Sequence, residues 1–439
     1  MANFVKGDKK ILNAWAFYDW ANSVYALVIS SSIFPLYYGA LFRELSIDTY
    51  PFFGVEIKSE SIISYVTAVG FLIVAVCSPL LSGIADYLGT KKFFMKLFCV
   101  IGALSCMLLY FFSLEYIGVS LLIYMFGLIG FWGSLVFYNS YLPDIAFENQ
   151  QDKISAKGYA LGYIGSVILL LVNLGMVMKY DVLGFSSALS AMRCSFLLVG
   201  LWWISFSLYT FKHLPDFKKD KKLTYSIFFK GFREIKKVWK ELQDYNSLKR
   251  YLIAFFVYSM AVQTVMIIAA YFGEKEIAWQ SDSQRTTGLI ISILVIQLVA
   301  VFGAYLTAKL SEKIGNIYTL CVLNILWVGI CVYAYTIVLP NEFYVAAGLV
   351  GLVMGGIQSL SRSTYSKMLH KTTDTTSFFS FYDVTEKIGI VVGMLFYGFI
   401  SDITGKMQNA ILLLIVFFVL GFVLLLRVPK VKGEYKTIK

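Results

Sequence analysis

The 439-residue chain is written as twelve long apolar blocks separated by short polar gaps, and no other feature limits its fold as tightly. The blocks fall at roughly 14–42, 61–85, 93–113, 117–141, 158–178, 188–211, 251–273, 286–308, 317–339, 343–365, 378–401 and 408–427. A helix of ~20 residues crosses a hydrocarbon core of ~30 Å. Composition points the same way, with 58% hydrophobic and only 15% charged residues, against about 25% charged in soluble globular proteins. The expected fold is an all-α polytopic membrane protein with twelve transmembrane helices.

The sixth and seventh blocks are held apart by a long basic connection. The plan is therefore a six-helix half over 1–211, a linker over 212–250 and a second six-helix half over 251–439. Lys and Arg counts in loops set orientation. With the N-terminus in the cytoplasm, 28 of the 38 basic residues fall in cytoplasmic segments and 6 in outer loops. Both termini and the linker are thus expected inside. This distribution accounts for the net charge of +11 without nucleic-acid binding. Within the linker, Phe228, Phe232, Ile235, Val238, Trp239 and Leu242 form an apolar stripe. Lys230, Arg233, Lys236, Lys237 and Lys240 lie beside it. The pattern predicts a helix lying in the membrane interface, in contact with lipid.

Several chemistries lack the residues they need. The six cysteines lie inside apolar blocks with no Cys-x-x-Cys, as small buried hydrophobes do. His213 and His370 are the only histidines, and both fall in polar connections, so no metal site is expected. No Gly-x4-Gly-Lys-Ser/Thr, His-Glu-x-x-His or Gly-x-Ser-x-Gly is present, which speaks against ATP-driven pumping and membrane-embedded catalysis. No cofactor is expected. The first block is too long for a cleaved signal peptide and lacks a small-residue cleavage site.

An internal repeat is visible. Ser82–Lys92 reads SGIADYLGTKK and Ala308–Asn316 reads AKLSEKIGN; Asp86 and Glu312 are 226 residues apart, as are Gly89 and Gly315. Parallel halves related by an axis along the membrane normal follow from such a repeat. Two sixes of spans, with an acidic–x–x–Gly–x–basic loop after spans two and eight, resemble the major facilitator superfamily. In that pattern a glycine stands four before the acid and a basic residue just after it; here Ser82 and Tyr87, then Ala308 and Lys313, hold those places. The blocks FYDWANSVY, FYNSYLPDIA, SAKGYALGYIGS, GGIQSLSRS and SFFSFYDVTEKIG are spread over nearly the whole chain. Together they resemble the branch typified by the vacuolar amino-acid effluxer of autophagy and its bacterial relatives.

Ionisable groups inside a bilayer are expensive and mark function or a pairing partner. Asp19 lies near the start of span one, on a face with Asn22 and Ser23. It is read either as helix-start chemistry or as a gate at the inner mouth of a cavity. In span eleven, Asp383 and Lys387 are spaced i, i+4 for an ion pair. Glu386 is left without a local partner; it or Asp383 is read as the group that loads and releases a proton, and in the plan the resemblance implies, the Asp383–Lys387 pair is also read as a charge switch between the halves. Arg362 in span ten is read as a snorkelling residue or as a clamp for a carboxylate, with Gln358 one turn away. Arg193 lies in span six, which is peripheral in the plan the resemblance implies, so a structural role is expected for it. Tyr25, Tyr138, Asn139, Tyr258, Gln263 and Thr264 complete the candidate cavity lining. The resemblance implies gate ion pairs at the cytoplasmic loops, from Asp86, Gly89, Lys91 and Lys92 in one half and from Glu312, Lys313 and Gly315 in the other.

These residues fit a secondary transporter of a small polar organic solute, working by alternating access, with protons as a second ligand. Amino acids and an efflux direction are implied by the resemblance. A lipid or lysolipid flippase on the same fold is the alternative. A monomer in the plasma (inner) membrane is expected, the vacuolar membrane of an organelle being the other placement.

Overall fold

The computed structural model describes residues 5–47, 49–52, 55–219, 227–369, 372–404 and 407–429. The first span is assembled from three pieces: α1 (Lys9–Val24), a π-helical stretch (Tyr25–Ser30) and α2 (Ile33–Glu44). Asp8 starts α1 by accepting a bond from the Lys10 amide at 2.6 Å. The break at Ser31–Ser32 has a cause in the sequence. Pro35 has no N–H, and its ring would press on the carbonyl of Ser31 in an unbroken helix. A short hairpin that the sequence did not announce follows, β1 (Thr49–Phe52) paired antiparallel with β2 (Val55–Lys58) in the register Thr49 to Lys58.

The rest is helical. The first half continues with α3 (Ser59–Leu88), α4 (Lys91–Leu108), α5 (Ile117–Asn139), the single turn α6 (Leu142–Ile145), α7 (Glu148–Met178) and α8 (Ala188–His213). After the linker helix α9 (Ile227–Asp244) come α10 (Asn246–Glu276), α11 (Asp282–Ile314), α12 (Asn316–Thr336), α13 (Pro340–Met368), α14 (Thr375–Thr404) and α15 (Met407–Leu426). Among the described residues, eleven segments are long and apolar enough to cross a membrane. The remaining long helix is α14, of 30 residues, which carries Asp383, Glu386 and Lys387. Large apolar side chains on the outside, such as Val76, Phe302 and Leu395, are exposed where lipid would cover them. Twelve crossings put the start of α1, the end of α15 and α9 on one side, called here the linker face. Contacts agree: the Gly7 amide bonds the Ile145 carbonyl at 2.8 Å, and Arg250 Nη1 bonds the Arg427 carbonyl at 2.9 Å.

Burial separates into two main cores. One is built from residues between Leu12 and Leu214, around Trp15, Tyr138 and Trp203. The other runs from Val238 to Val428 around Trp327, Tyr365 and Phe418, and takes in Tyr163 from α7. Helices within each core approach closely over small residues, as lipid-embedded helices do. A Cβ on Gly303 of α11 would lie 2.0 Å from the Leu352 carbonyl of α13. Between the cores there are two seams: α7 lies against α11 and α13, and α3 lies against α14.

Two segments differ from their sequence reading. The fifth span begins as α7 at Glu148, well ahead of residue 158, and its extra turns bring Asp152 and Ser155 against the other half. The stripe of α9 is divided. Val238 and Leu242 are buried against the bundle, whereas Phe232 and Trp239 are exposed. Nothing is described for the side chains of Phe228 and Lys230, and His370 lies outside the described residues.

Candidate functional site

The seam between halves holds a buried charge cluster. Arg362 of α13 reaches across to α1, where Nη2 donates to Asp19 Oδ2 at 3.1 Å. The same oxygen accepts the Tyr138 hydroxyl at 2.8 Å. Arg362 Nε donates to Ser155 Oγ at 2.9 Å, Nη2 to the Ser155 carbonyl at 3.0 Å, and Nη1 to Asn139 Oδ1 at 3.3 Å. The guanidinium lies over the rings of Tyr159 and Trp15, at 4.3 and 4.8 Å. A buried charge is tolerable only when paired and hydrogen-bonded, and here four acceptor atoms and the faces of two rings meet that need. Arg362 therefore does not snorkel; it is 2% exposed and belongs to the seam. Asp19 likewise does not serve as a helix-start residue. Gly158 makes room for it, since a Cβ there would lie 2.3 Å from Asp19 Oδ2.

Farther from the linker face, helices of the second half and Tyr159 of α7 border a narrow, partly open cavity with about 20 Å³ of free volume. Tyr159, Tyr258, Gln263, Gln358, Tyr382 and Glu386 are among its lining residues. Its polar groups are linked in pairs. Gln263 Nε2 donates to Glu386 Oε1 at 2.8 Å, and the Tyr163 hydroxyl donates to Gln358 Oε1 at 2.8 Å. The hydroxyls of Tyr258 and Ser361 are 2.7 Å apart. Glu386 is thus not isolated, as its sequence neighbours suggested. It also lies 3.5 Å from Lys387 Nζ, and it keeps some exposure to the cavity.

The rest of the α14 cluster is deeper in protein. Lys387 is ion-paired with Asp383 one turn before it, and its ammonium is centred 3.7 Å over the Trp132 ring of α5. The cation is therefore shared between an acid on its own helix and an aromatic face in the other half.

On the linker face the loop motif works differently from the expected ion pairs. Asp86 accepts the backbone amides of Thr376 and Ser377, at 3.2 and 2.7 Å. These are unpaired donors in the first turn of α14, where the helix dipole also favours a carboxylate. Lys91 is committed to Asp144, the Ser140 carbonyl and the Tyr141 ring. Lys92 bonds the Leu214 carbonyl at 2.7 Å and so caps α8 within its own half. Gly89 has φ +69° and ends α3, and Phe217 closes over it. In the second half the expectation fails at Glu312 and Lys313, which are exposed and unpaired among the described residues. The acid of that contact comes from the opposite half. Asp152 of α7 accepts from Lys367 Nζ (2.6 Å), Asn316 Nδ2 (2.9 Å) and Ser311 Oγ (3.0 Å). Gly315, at φ +85°, forms the bend between α11 and α12 that presents Asn316.

Other candidates lie outside the cavity. Tyr25 is fully buried within the first half, stacked on Phe131 with centroids 4.8 Å apart. Asn22 is buried beside Ser23, and Thr264 bonds the Met260 carbonyl of its own helix. Arg193 donates to the Tyr37 hydroxyl at 2.8 Å, within the first half. Asp152, Ser155, Tyr159 and Tyr163 were missed by the sequence reading. Their signal was the glycine spacing of SAKGYALGYIGS, which lets α1 approach α7 closely. A Cβ on Gly162 would lie 2.4 Å from Ser23 Oγ.

The chain matches the family model described as "Vacuole effluxer Atg22 like" over residues 7–437. It is 32% identical over 419 residues to an MFS-type transporter, YxiO, of Bacillus subtilis, covering 95% of this chain and 94% of the relative. It is 25% identical over 467 residues to autophagy-related protein 22 of Eremothecium gossypii, covering 92% and 88%. Among solved structures, the major facilitator transporter FucP in its outward conformation superposes with a TM-score of 0.70 at 14% identity, covering 96% of this chain and 99% of that one. That likeness is one of fold, and it agrees with the twelve-helix, two-core architecture. The chain belongs to the vacuole effluxer Atg22-like family, a branch of the major facilitator transporters.

Proposed function

We propose that this transporter moves a small polar organic solute of the amino-acid class by alternating access, with proton coupling through Glu386. The carrying observation is the cavity at the seam, where a carboxylate, two carboxamides and three tyrosines converge. An ammonium group suits Glu386 and Gln263. Amide and hydroxyl donors suit a carboxylate, and the tyrosine rings accept an apolar side chain. A lining so rich in polar groups favours a solute over a lipid. The family description, an effluxer, supports export, and the basic linker face is read as cytoplasmic.

In this reading the described state is closed at the cytoplasmic side by the Asp19–Arg362, Asp86–α14 and Asp152–Lys367 contacts. Opening that side breaks all three and exposes the cavity to the cytoplasm. Glu386 is the coupling candidate because, among the described side chains, it alone of the α14 charges lines the cavity, bonded to the Gln263 amide and 3.5 Å from Lys387 Nζ.

The test is a screen of amino acids, dipeptides and lysolipids for transport by protein reconstituted in proteoliposomes. Amino acids are expected to be carried and lysolipids not. Glu386→Gln is expected to abolish transport driven by a pH gradient while sparing solute exchange. Gradient-driven transport that survives the change intact would remove Glu386 from the coupling step.

A further inference from the structure

Helix α9 has a surface that the transport reading leaves unused. One edge is anchored across the α3–α14 seam: Val238 and Leu242 are buried, and Lys237 Nζ bonds Asp374 Oδ2 at 2.7 Å, directly before α14. The Trp239 ring lies 5.6 Å from that of Phe381. The helix thus packs against α3 and, beside Asp374 and Phe381, against α14.

Its free arc is mixed. At 100° per residue, Trp239, Phe232, Lys236, Lys240 and Arg233 follow one another around about a third of the circumference. All five are exposed, with Phe232 at 64% and Trp239 at 51%. None of the three cations has a carboxylate partner among the described residues. Two aromatic side chains at one end of an arc and three unpaired cations at the other match a layer that is apolar on one side and anionic on the other.

We propose that this arc of α9 is a docking surface for the anionic headgroups of the leaflet at the linker face. Phe232 and Trp239 enter the acyl boundary, and Arg233, Lys236 and Lys240 meet the phosphates. A zwitterionic leaflet offers the aromatic residues the same boundary but gives the cations no net charge. The partner is therefore anionic lipid specifically. Because Asp374 and Phe381 belong to the second half and α3 to the first, lipid held there bears on both halves. Docking itself is independent of which solute is carried.

The full chain is tested in nanodiscs of phosphatidylcholine containing a minor fraction of phosphatidylglycerol, with bromine on the acyl chains of one lipid or the other. The Trp239 signal is taken as the difference between wild type and Trp239→Phe. Bromo-phosphatidylglycerol is expected to quench it beyond its share of the lipid. The triple change Arg233→Gln, Lys236→Gln, Lys240→Gln is expected to lower the preference for phosphatidylglycerol by about fivefold per charge removed. Arg233→Lys should leave it unchanged, and none of these exposed positions bears on folding. Equal quenching by both lipids would overturn the proposal. So would a preference that the triple change leaves intact, or a Trp239 reached by aqueous iodide and not by lipid, as a soluble acidic partner would require.

Discussion

Replacing Asp19 with Asn keeps side-chain volume and leaves an oxygen for the Tyr138 hydroxyl, but it removes the only carboxylate that Arg362 touches among the described residues. The remaining partners of the guanidinium, Ser155 and Asn139, are neutral, and the group is 2% exposed. Stripping one member from such a pair typically costs about 3–5 kcal/mol, because the other charge stays buried. Here the cost falls on one conformation. Asp19 is carried by α1 and Arg362 by α13, so the pair exists only while the halves meet at the linker face. The open alternative is then favoured by roughly 10²- to 4 × 10³-fold relative to wild type. Spin labels at Lys153 of α7 and Lys309 of α11, both exposed, report the separation of the halves once Cys77 and Cys194 are replaced. Asp19→Asn should shift the distance distribution to longer values. Arg362→Gln should do so less, since it leaves only a partly bonded acid, and the double variant should recover much of the closed population. Wild-type distances in Asp19→Asn, or strict additivity in the double variant, would refute a closing role for the pair.

Asp152→Asn should also lengthen that distance, through loss of the Lys367 contact. By contrast, Glu312→Gln with Lys313→Gln should leave the distance distribution unchanged and alter stability, read by thermal unfolding, by no more than about ±0.5 kcal/mol, as for surface substitutions generally. Gly89→Ala puts a Cβ 2.0 Å from the Phe217 carbonyl at a left-handed φ of +69°, and should cost about 1–3 kcal/mol. A lower unfolding temperature in detergent and faster proteolysis near residues 214–219 would report it. Lys387→Met should lower stability by leaving Asp383 buried and unpaired, and Lys387→Met with Asp383→Leu should restore it, both read by thermal unfolding.

Periodicity and length made the twelve spans legible, because lipid imposes the same requirement on every crossing. Asp383–Lys387 was legible as well, since i, i+4 spacing is a local fact about one helix. The Asp19–Arg362 pair joins positions 343 residues apart, and local spacing carries no information about such a contact. The loop repeat misled in an instructive way. A spacing of 226 residues correctly equates Asp86 with Glu312 as positions in two halves. The contact it implied is made in one half by the loop acid and in the other by Asp152, so symmetry of sequence did not guarantee symmetry of partner. Proline chemistry explains the break in span one only in retrospect, because Pro35 is also compatible with a kinked but continuous helix.

The capping of α14 by Asp86 has a mechanical consequence. Thr376 and Glu386 are ten residues apart on one continuous helix, about 15 Å at 1.5 Å per residue. A helix of this kind transmits displacement as a stiff rod. Whatever frees its first turn from Asp86 also moves Lys387 relative to the Trp132 ring and Glu386 relative to Gln263. The converse holds with equal force: a change of charge at Glu386 or Lys387 pushes on the same rod from within the membrane, and the latch at its end feels the load.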